Sequence, residues 1–288
     1  MNALKPSFMK KKKTITPQKP SSFKDDATTS SSTSLNSSIR STSSSMRGYD
    51  EMQCLKKISS FCKETDRDVS THLMFRIACF HDFDFDRSKH TIITMSDSKY
   101  LGLHMEGPLS KHFGKRIVVP LPDLKARDKS NVVYLRPSRY SGTKNSQLMV
   151  DSLCYVLNDL SSTQSQCRAG VTVVVNMKKW ARDNFDQEMW VKMIRILQGD
   201  LVPTKVMNVL LVDAPEEFRN VWELLEQLMP NTFYKKVNFV KQNKLGDYFK
   251  DGFHEHLPNE FKRGWLSIDE VVEDYIDLKQ YNDQLVDL

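Results

Sequence analysis

Glycine is scarce in this sequence, with ten residues in 288, and none of them forms a glycine-rich loop after a strand. The sequence also lacks the GxSxG and GxxxxGK[ST] motifs, which place a nucleophile or hold nucleotide phosphates. No residues resemble a nucleophile beside its base. We therefore predict a protein that is not an enzyme, with no catalytic residues and no cofactor.

Long apolar runs are also missing. No segment approaches the roughly 18 apolar residues of a membrane-spanning helix, and the N-terminus lacks the apolar core of a signal peptide. The five cysteines are odd in number and show no CxxC or Cys/His ligand spacing, which indicates reduced thiols. These features predict a cytoplasmic protein whose contact with lipid is reversible and peripheral, or internal.

Positive charge is concentrated near the N-terminus. The net charge is +6, and residues 1–50 hold nine Lys/Arg against three Asp. The other 238 residues carry 33 basic and 33 acidic side chains. A neutral folded part disfavours a nucleic-acid partner.

Residues 21–46 contain 16 Ser/Thr and almost no apolar side chains. Such a segment buries too little surface to offset the entropy of ordering, so residues 1–50 are predicted to be disordered. Three interpretations of the run Lys10–Lys13 stay open: a solvated charge run, a nuclear import signal, or a tether to anionic membranes.

The remaining chain divides into a helical module at 51–110 and an α/β region at 111–288. Short helices are expected at 51–63, 69–81 and 87–100. From residue 111 apolar strands alternate with amphipathic helices, the pattern of an α/β sheet covered by helices. We predict strands at 132–135, 171–175, 209–212 and 237–240, and helices at 146–160, 186–198 and 216–229.

Two segments carry candidate metal ligands. Residues 81–86 place Asp at alternate positions, but Arg87 and Ile93 stand where a calcium loop requires Gly and Glu. His254 and His256 could share one side of an extended segment, yet no further ligand cluster lies near them in sequence. We predict no metal site.

The segment 209–229 combines a strand, a turn and an amphipathic helix. Pro215 fits the first helical turn, where its missing N–H costs nothing, and Pro230 ends the helix. An apolar stripe follows helical spacing between them: Phe218, Val221, Trp222, Leu225, Leu228 and Met229. Taken alone, this is also the pattern of an ordinary crossover helix packed on a sheet.

The order of parts from Val202 to Phe261 resembles the signature segment of the CRAL-TRIO family, which includes the yeast phosphatidylinositol-transfer proteins, the tocopherol-transfer protein and the retinaldehyde-binding protein. The matching parts are Pro203, the strand ending in Asp213-Ala214-Pro215, Phe218, Lys236-Val237, and Leu257-Pro258-Asn259-Glu260-Phe261. Further similarities extend the match to about 66–288. Met74–Ile77 with Asp82–Asp84 is similar to the N-terminal element of the family. Val171–Trp180 and Leu266–Leu288 are similar to the tocopherol-transfer branch, and they favour the tocopherol-transfer and retinaldehyde-binding branch.

The resemblance implies a small N-terminal helical bundle before an α/β lipid-binding fold, in which a mixed sheet forms the pocket floor and one amphipathic helix is a gate. The ligand would be a retinoid, tocopherol, sterol-like or acyl lipid, exchanged when the gate opens at a membrane. Carried over to this sequence, the gate residues are Phe218, Val221, Trp222, Leu225 and Leu228, and the floor includes Val173, Val175, Leu210 and Val212.

Several positions depart from the family pattern. Thr204 and Phe233 stand where the phosphatidylinositol-transfer branch has Glu and Thr, although Lys236 is retained. Lys262-Arg263 replaces a closing Gly-Gly. The tocopherol-transfer branch implies phosphoinositide contact outside the pocket, and the candidate residues here are Lys205, Lys235, Lys236 and Arg76. Solvated charges are the alternative for these residues, and a regulatory or scaffold protein with a degenerate pocket is the alternative for the whole chain.

Overall fold

The computed structural model of the protein describes residues 36–95, 98–141 and 146–286. The run Lys10–Lys13 and most of the segment predicted to be disordered lie outside these residues. Helix α1 spans Asn36–Glu64, so it begins well before residue 51, where the sequence pattern had placed its start. The buried side chains Cys54, Ile58 and Cys62 follow helical spacing after residue 51, and the Ser/Thr-rich sequence before it gives no such apolar pattern.

Helices α2, Thr71–Phe80, and α3, Phe85–Met95, follow α1. Ser70 caps α2 by accepting a hydrogen bond from the backbone N–H of Leu73. The three helices share an apolar core that includes Ile58, Ile77 and Ile92. The third helix ends earlier than expected, at Met95 rather than near residue 100.

A five-stranded mixed sheet forms the centre of the α/β region, and its strands lie side by side in chain order. Strand β1 is antiparallel to β2, and β2 to β5 are parallel to one another. This confirms the predicted α/β fold class. The strands are β1 Val118–Lys125, β2 Asn131–Leu135, β3 Val171–Asn176, β4 Val206–Val212 and β5 Val237–Val240.

Strand β1 was not predicted. It carries Pro120 and Pro122, which cannot donate hydrogen bonds to a neighbouring strand and therefore argue against a strand in sequence. The structure accommodates both because β1 is an edge strand, paired on one side only.

Helices and short 3-10 turns connect and cover the strands. The helices are α4 Gly107–Phe113, α5 Ser146–Asp159, α6 Gln164–Ala169, α7 Gln187–Leu197, α8 Phe218–Glu226, α9 Asn231–Tyr234 and α10 Ile268–Val286. The 3-10 turns are Lys99–Leu101, Pro137–Arg139, Arg182–Asn184, Gln242–Asp247 and Phe253–His256.

Helix α8 is shorter than the predicted 216–229. The backbone N–H of Phe218 donates to Pro215 O and that of Arg219 donates to Glu216 O, at 3.1 and 3.0 Å. These i to i−3 bonds make residues 215–217 a tight turn rather than a first α-helical turn. Asp213, with φ of +52°, directs the chain out of β4 into that turn.

The two faces of the sheet are set by the parallel register, in which Val173 pairs with Val209 and Val175 with Leu211. Side chains of such partners point to the same side, and their sequence neighbours point to the other. We call the side containing Leu135, Val175, Val209, Leu211 and Val237 the cavity face. The rear face contains Tyr134, Val174, Asn176, Leu210, Val212 and Val240.

Candidate ligand cavity

An apolar cavity of about 40 Å³ lies between the cavity face and helices α5, α7 and α8. The one hydroxyl group in its lining belongs to Tyr140, and that group donates to Asp186 at 2.9 Å. The lining residues are Leu135, Pro137, Tyr140, Met149, Val175, Met189, Trp190, Met193, Ile194, Leu197, Val209, Leu211, Trp222, Leu225, Met229, Phe233 and Val237.

The cavity wall contains adaptable side chains. Met149, Met189, Met193 and Met229 contribute to it. Methionine is unbranched, with three rotatable bonds and a polarisable sulfur, so it fills irregular space and changes shape at low cost. This composition suits a wall that must accept different volumes.

Aromatic rings anchor the first turn of α8. Phe218 is fully buried, and its ring centroid lies 5.1 Å from Trp180, 5.6 Å from Trp190 and 6.4 Å from Trp222. Trp222 in turn meets Phe239 of β5 edge-on at 5.1 Å. The helix is therefore held against the sheet by ring contacts.

The predicted gate residues fall into three groups. Trp222 and Leu225 line the cavity. Phe218 is buried in the aromatic cluster instead, and Val221 lines a separate outer groove with Leu224. Leu228, 48% exposed, does not line the cavity. That prediction was wrong because the α-helix ends at Glu226, so helical spacing no longer applies.

Two of the four predicted floor residues lie on the cavity face. Val175 lines the cavity and Val173 shares its face. Leu210 and Val212 lie on the rear face, and their neighbours Val209 and Leu211 line the cavity instead. A parallel strand covered on both sides is apolar throughout, so its sequence does not show which residues face which side.

A hydrogen-bonded network lies on the rear face and was not predicted. Glu260 is ion-paired with the buried Arg136 and accepts a hydrogen bond from the Tyr134 hydroxyl at 2.6 Å. Asn176 donates to the same hydroxyl oxygen at 2.6 Å. Burial and the bond to Glu260 raise the pKa of Tyr134 well above its usual range. Glu260 therefore ties the segment 257–261 to two central strands.

Arg76 does not form part of a headgroup site. It is 5% exposed and donates to Pro203 O, Asn158 Oδ1 and Thr204 Oγ1 at 3.0, 2.7 and 2.9 Å. Burial lowers the pKa of Arg76 to about 10. Its hydrogen bonds attach α2 to the α/β region, so this prediction is corrected.

The three predicted headgroup lysines lie at the amino ends of β4 and β5. Lys205 Nζ is 2.6 Å from Asp82 Oδ1, and Lys236 Nζ donates to Val206 O at 2.8 Å. Burial and the nearby Lys205 lower the pKa of Lys236. Lys235 is exposed. Lys205 and Lys236 thus lie close enough for their charges to interact.

The described ranges contain neither a cluster of metal ligands nor a helix suited to cross a membrane. No group of three or more His, Cys, Asp or Glu side chains there could hold a metal ion. None of the helices in these ranges combines the length and apolar character needed to cross a membrane. All five cysteines are buried and unpaired.

The family profile of the CRAL/TRIO domain matches residues 124–262, from the end of β1 through the segment that contains Glu260. Residues 124–262 are thus similar to a CRAL/TRIO domain. This domain holds the cavity face, α8 and the rear network. This similarity supports a lipid-binding or lipid-transfer protein at that general level, and not an enzyme.

The domain fold is also found among solved structures. The crystal structure of Sfh5 superposes on the chain with a TM-score of 0.53 and 17% sequence identity, covering 81% of this chain and 98% of that chain. At this identity the likeness is one of fold. A search of curated protein sequences gives no significant match.

Proposed function

We propose that the protein carries one small hydrophobic ligand in the CRAL/TRIO cavity and exchanges it at phosphoinositide-containing membranes. The ligand class is a retinoid, tocopherol, sterol-like or acyl lipid, as in the tocopherol-transfer and retinaldehyde-binding branch. The observation that carries the proposal is the apolar cavity enclosed between the sheet and α8. Each CH₂ group buried there contributes about 0.8 kcal/mol to binding.

Ligand entry requires the wall to move, because a volume of about 40 Å³ is far below the roughly 300–1,000 Å³ of pockets that hold small-molecule ligands. Helix α8 is the element best suited to move. Within the described residues, no side-chain hydrogen bond or ion pair ties Phe218–Glu226 to another element. Its attachment is apolar, and a bilayer interior offers equivalent contacts.

The outer side of α8 supports docking at a bilayer. Leu224 is 57% exposed, and Phe239 on β5 is exposed beside Trp222. Lys235 and Lys236 directly precede β5, which is the outermost strand on this side of the sheet. The cationic lysines and the apolar Phe239 are therefore close together along the chain at the same outer strand. In the proposed contact the lysines bind phosphoinositide headgroups, Lys205 exchanging Asp82 for a phosphate, while Leu224 and Phe239 enter the apolar layer.

The ligand proposal is tested by native mass spectrometry and lipid extraction of protein purified from cells. We expect a copurified lipid. Met193→Trp fills the cavity and should remove the lipid, whereas Leu224→Trp adds a similar bulk on the outer side and should retain it. Wild-type protein that is empty and takes up no fluorescent lipid would contradict the proposal.

Headgroup binding is tested separately with vesicles that contain phosphatidylinositol bisphosphate. The double substitution Lys235→Ala and Lys236→Ala should weaken vesicle binding, and the remaining binding should depend less on salt. The matched control replaces Lys178 and Lys179, an exposed pair after β3 at the other edge of the sheet. Equal weakening by both pairs would show a general charge effect and refute a specific headgroup site.

A regulatory or scaffold protein with a degenerate pocket is the second candidate function. The small cavity favours it, because Trp190, Trp222 and Phe233 occupy much of the space that a ligand would need. This alternative predicts no bound lipid and a partner interaction that is unchanged by Met193→Trp. Loss of partner binding in that variant would argue against it.

A further inference from the structure

A second concave site lies at the carboxyl ends of β4 and β5. Asp213 follows β4 and Lys241 follows β5, and together with Lys262 and Arg263 they line a crevice of about 580 Å³. We call it the carboxyl-edge crevice. Lys205 and Lys236 precede the same two strands, so they lie at the amino ends of β4 and β5, away from the crevice at the carboxyl ends.

Three of the nine residues that line the crevice are cationic. Lys241, Lys262 and Arg263 are exposed, and none of them has an ion pair or side-chain hydrogen bond with another residue of the described ranges. Asp213 is the carboxylate in the lining, and its Oδ1 accepts a hydrogen bond from the Gln242 N–H at 3.1 Å. The cations are therefore available to an anionic ligand.

An unused polar atom adds to this lining. His254 contributes to the crevice, and its Nδ1 is buried without a hydrogen-bond partner among the described residues. Its ring lies against Phe253, at a centroid distance of 4.1 Å. A buried ring nitrogen normally has a partner, so the described residues leave this atom next to the crevice without its usual hydrogen bond.

The backbone at Arg263 is strained. Its φ is +73°, in the left-handed region that favours glycine. The turn is also closely packed, because a Cβ on Gly264 would lie 2.0 Å from Pro258 O. A charged side chain is thus held at a position where glycine would fit without strain. Strain of this kind is often retained at functional sites.

We propose that the carboxyl-edge crevice binds a terminal phosphate group through Lys241, Lys262 and Arg263. Several cations around one concavity match the charge and the acceptor oxygens of phosphate. The phosphate could belong to a soluble ligand or to a lipid headgroup. Trp265, next to the basic pair and 71% exposed, would meet the bilayer interface in the lipid case.

The test measures binding of inorganic pyrophosphate by calorimetry, and binding to phosphatidylcholine vesicles containing phosphatidic acid, with the full chain. Lys262→Ala and Arg263→Gly should each weaken binding about tenfold or more, because a charge-assisted contact is lost. For Arg263→Gly, relief of backbone strain offsets the greater freedom of the unfolded chain, so the thermal midpoint should stay nearly constant.

The matched control is Lys129→Gly. Lys129 is also exposed and has φ of +72°, but it lies before β2, at the other edge of the sheet. Lys129→Gly should change neither pyrophosphate binding nor vesicle binding. The double substitution Lys235→Ala and Lys236→Ala should leave pyrophosphate binding unchanged.

Each outcome has a defined meaning. Pyrophosphate binding that depends on Arg263 supports a soluble phosphate ligand, and vesicle binding alone that depends on Arg263 and Trp265 supports a lipid headgroup. Binding of neither probe, or equal loss in Lys129→Gly, overturns the site. The result is separable from the cavity proposal, because Met193→Trp should leave phosphate binding intact.

Discussion

The two faces of the sheet are stabilised in different ways. On the rear face, Glu260 forms directional bonds with Arg136 and Tyr134. Asn176 joins this network by donating to the Tyr134 hydroxyl. On the cavity face, apolar side chains meet four methionines and leave about 40 Å³ unfilled. Directional bonds fix one geometry, whereas apolar contacts permit several of similar energy. The same sheet thus offers one fixed side and one adaptable side.

The largest expected effect tests the fixed side. Glu260→Ala leaves the buried Arg136 without its carboxylate, and such a loss costs about 3–5 kcal/mol. Because the Glu260 side chain is 30% exposed, we expect the lower end of that range in the free energy of unfolding measured by urea. The exposed Glu255→Ala is the control, with an expected change within about 0.5 kcal/mol. A loss below about 1 kcal/mol for Glu260→Ala would mean that the network is not a principal support.

Tyr134→Phe probes the same network with a smaller change. It removes the hydroxyl that donates to Glu260 and accepts from Asn176. The Asn176 amide then lacks this acceptor, so we expect a loss of about 1–3 kcal/mol in urea unfolding. In the Glu260→Ala background the same change should cost less, since the two residues share one network. If the stability losses of Tyr134→Phe and Glu260→Ala add fully in the double variant, the two residues are not energetically coupled.

Met193→Leu tests the adaptable side. A hydrophobic exchange of similar volume usually costs less than about 1.5 kcal/mol, and the unfilled space beside Met193 favours a smaller value here. Stability is measured by urea unfolding and lipid uptake by fluorescence. A loss in the free energy of unfolding as large as that of Tyr134→Phe would show that the cavity wall tolerates substitution no better than the rear face.

Leu224→Ser should have the smallest effect on stability, within about 0.5 kcal/mol, because the side chain is already exposed. Its expected effect is on function: slower transfer of lipid to vesicles, measured by fluorescence, with unchanged binding in solution. Asn220→Ser, on the same outer groove, is the polar control. If the rate of lipid transfer is unchanged in Leu224→Ser, the outer face of α8 does not contribute to membrane contact.

Sequence patterns located most elements of the sheet because its parallel strands are short apolar runs bounded by turns. The predicted strand 237–240 matches β5, Val237–Val240, and the other predicted strands lie within longer observed ones. The patterns could not assign the faces of β4, where Leu210 and Val212 were chosen instead of Val209 and Leu211. A run that is apolar at every position contains no alternation to reveal its orientation.

Sequence could not identify the partners of charged residues. Arg76 was predicted to meet a headgroup, yet its partners, including Asn158 and Thr204, are distant in the chain. Glu260 was recognised only as part of a motif, while its role depends on Arg136 and Tyr134. Such roles depend on tertiary contacts, which local periodicity does not contain.

The edge position of β1 has a consequence for self-association. The N–H of Arg136 donates to Ile117 O, and antiparallel alternation from that pair turns the nitrogen of residue 120 away from β2. Residues 120 and 122 are both proline, so neither offers an N–H donor on this edge strand. Strand β1 is therefore a poor template for strand addition. The protein is thereby protected against edge-to-edge aggregation on that side of the sheet, whatever happens at α8.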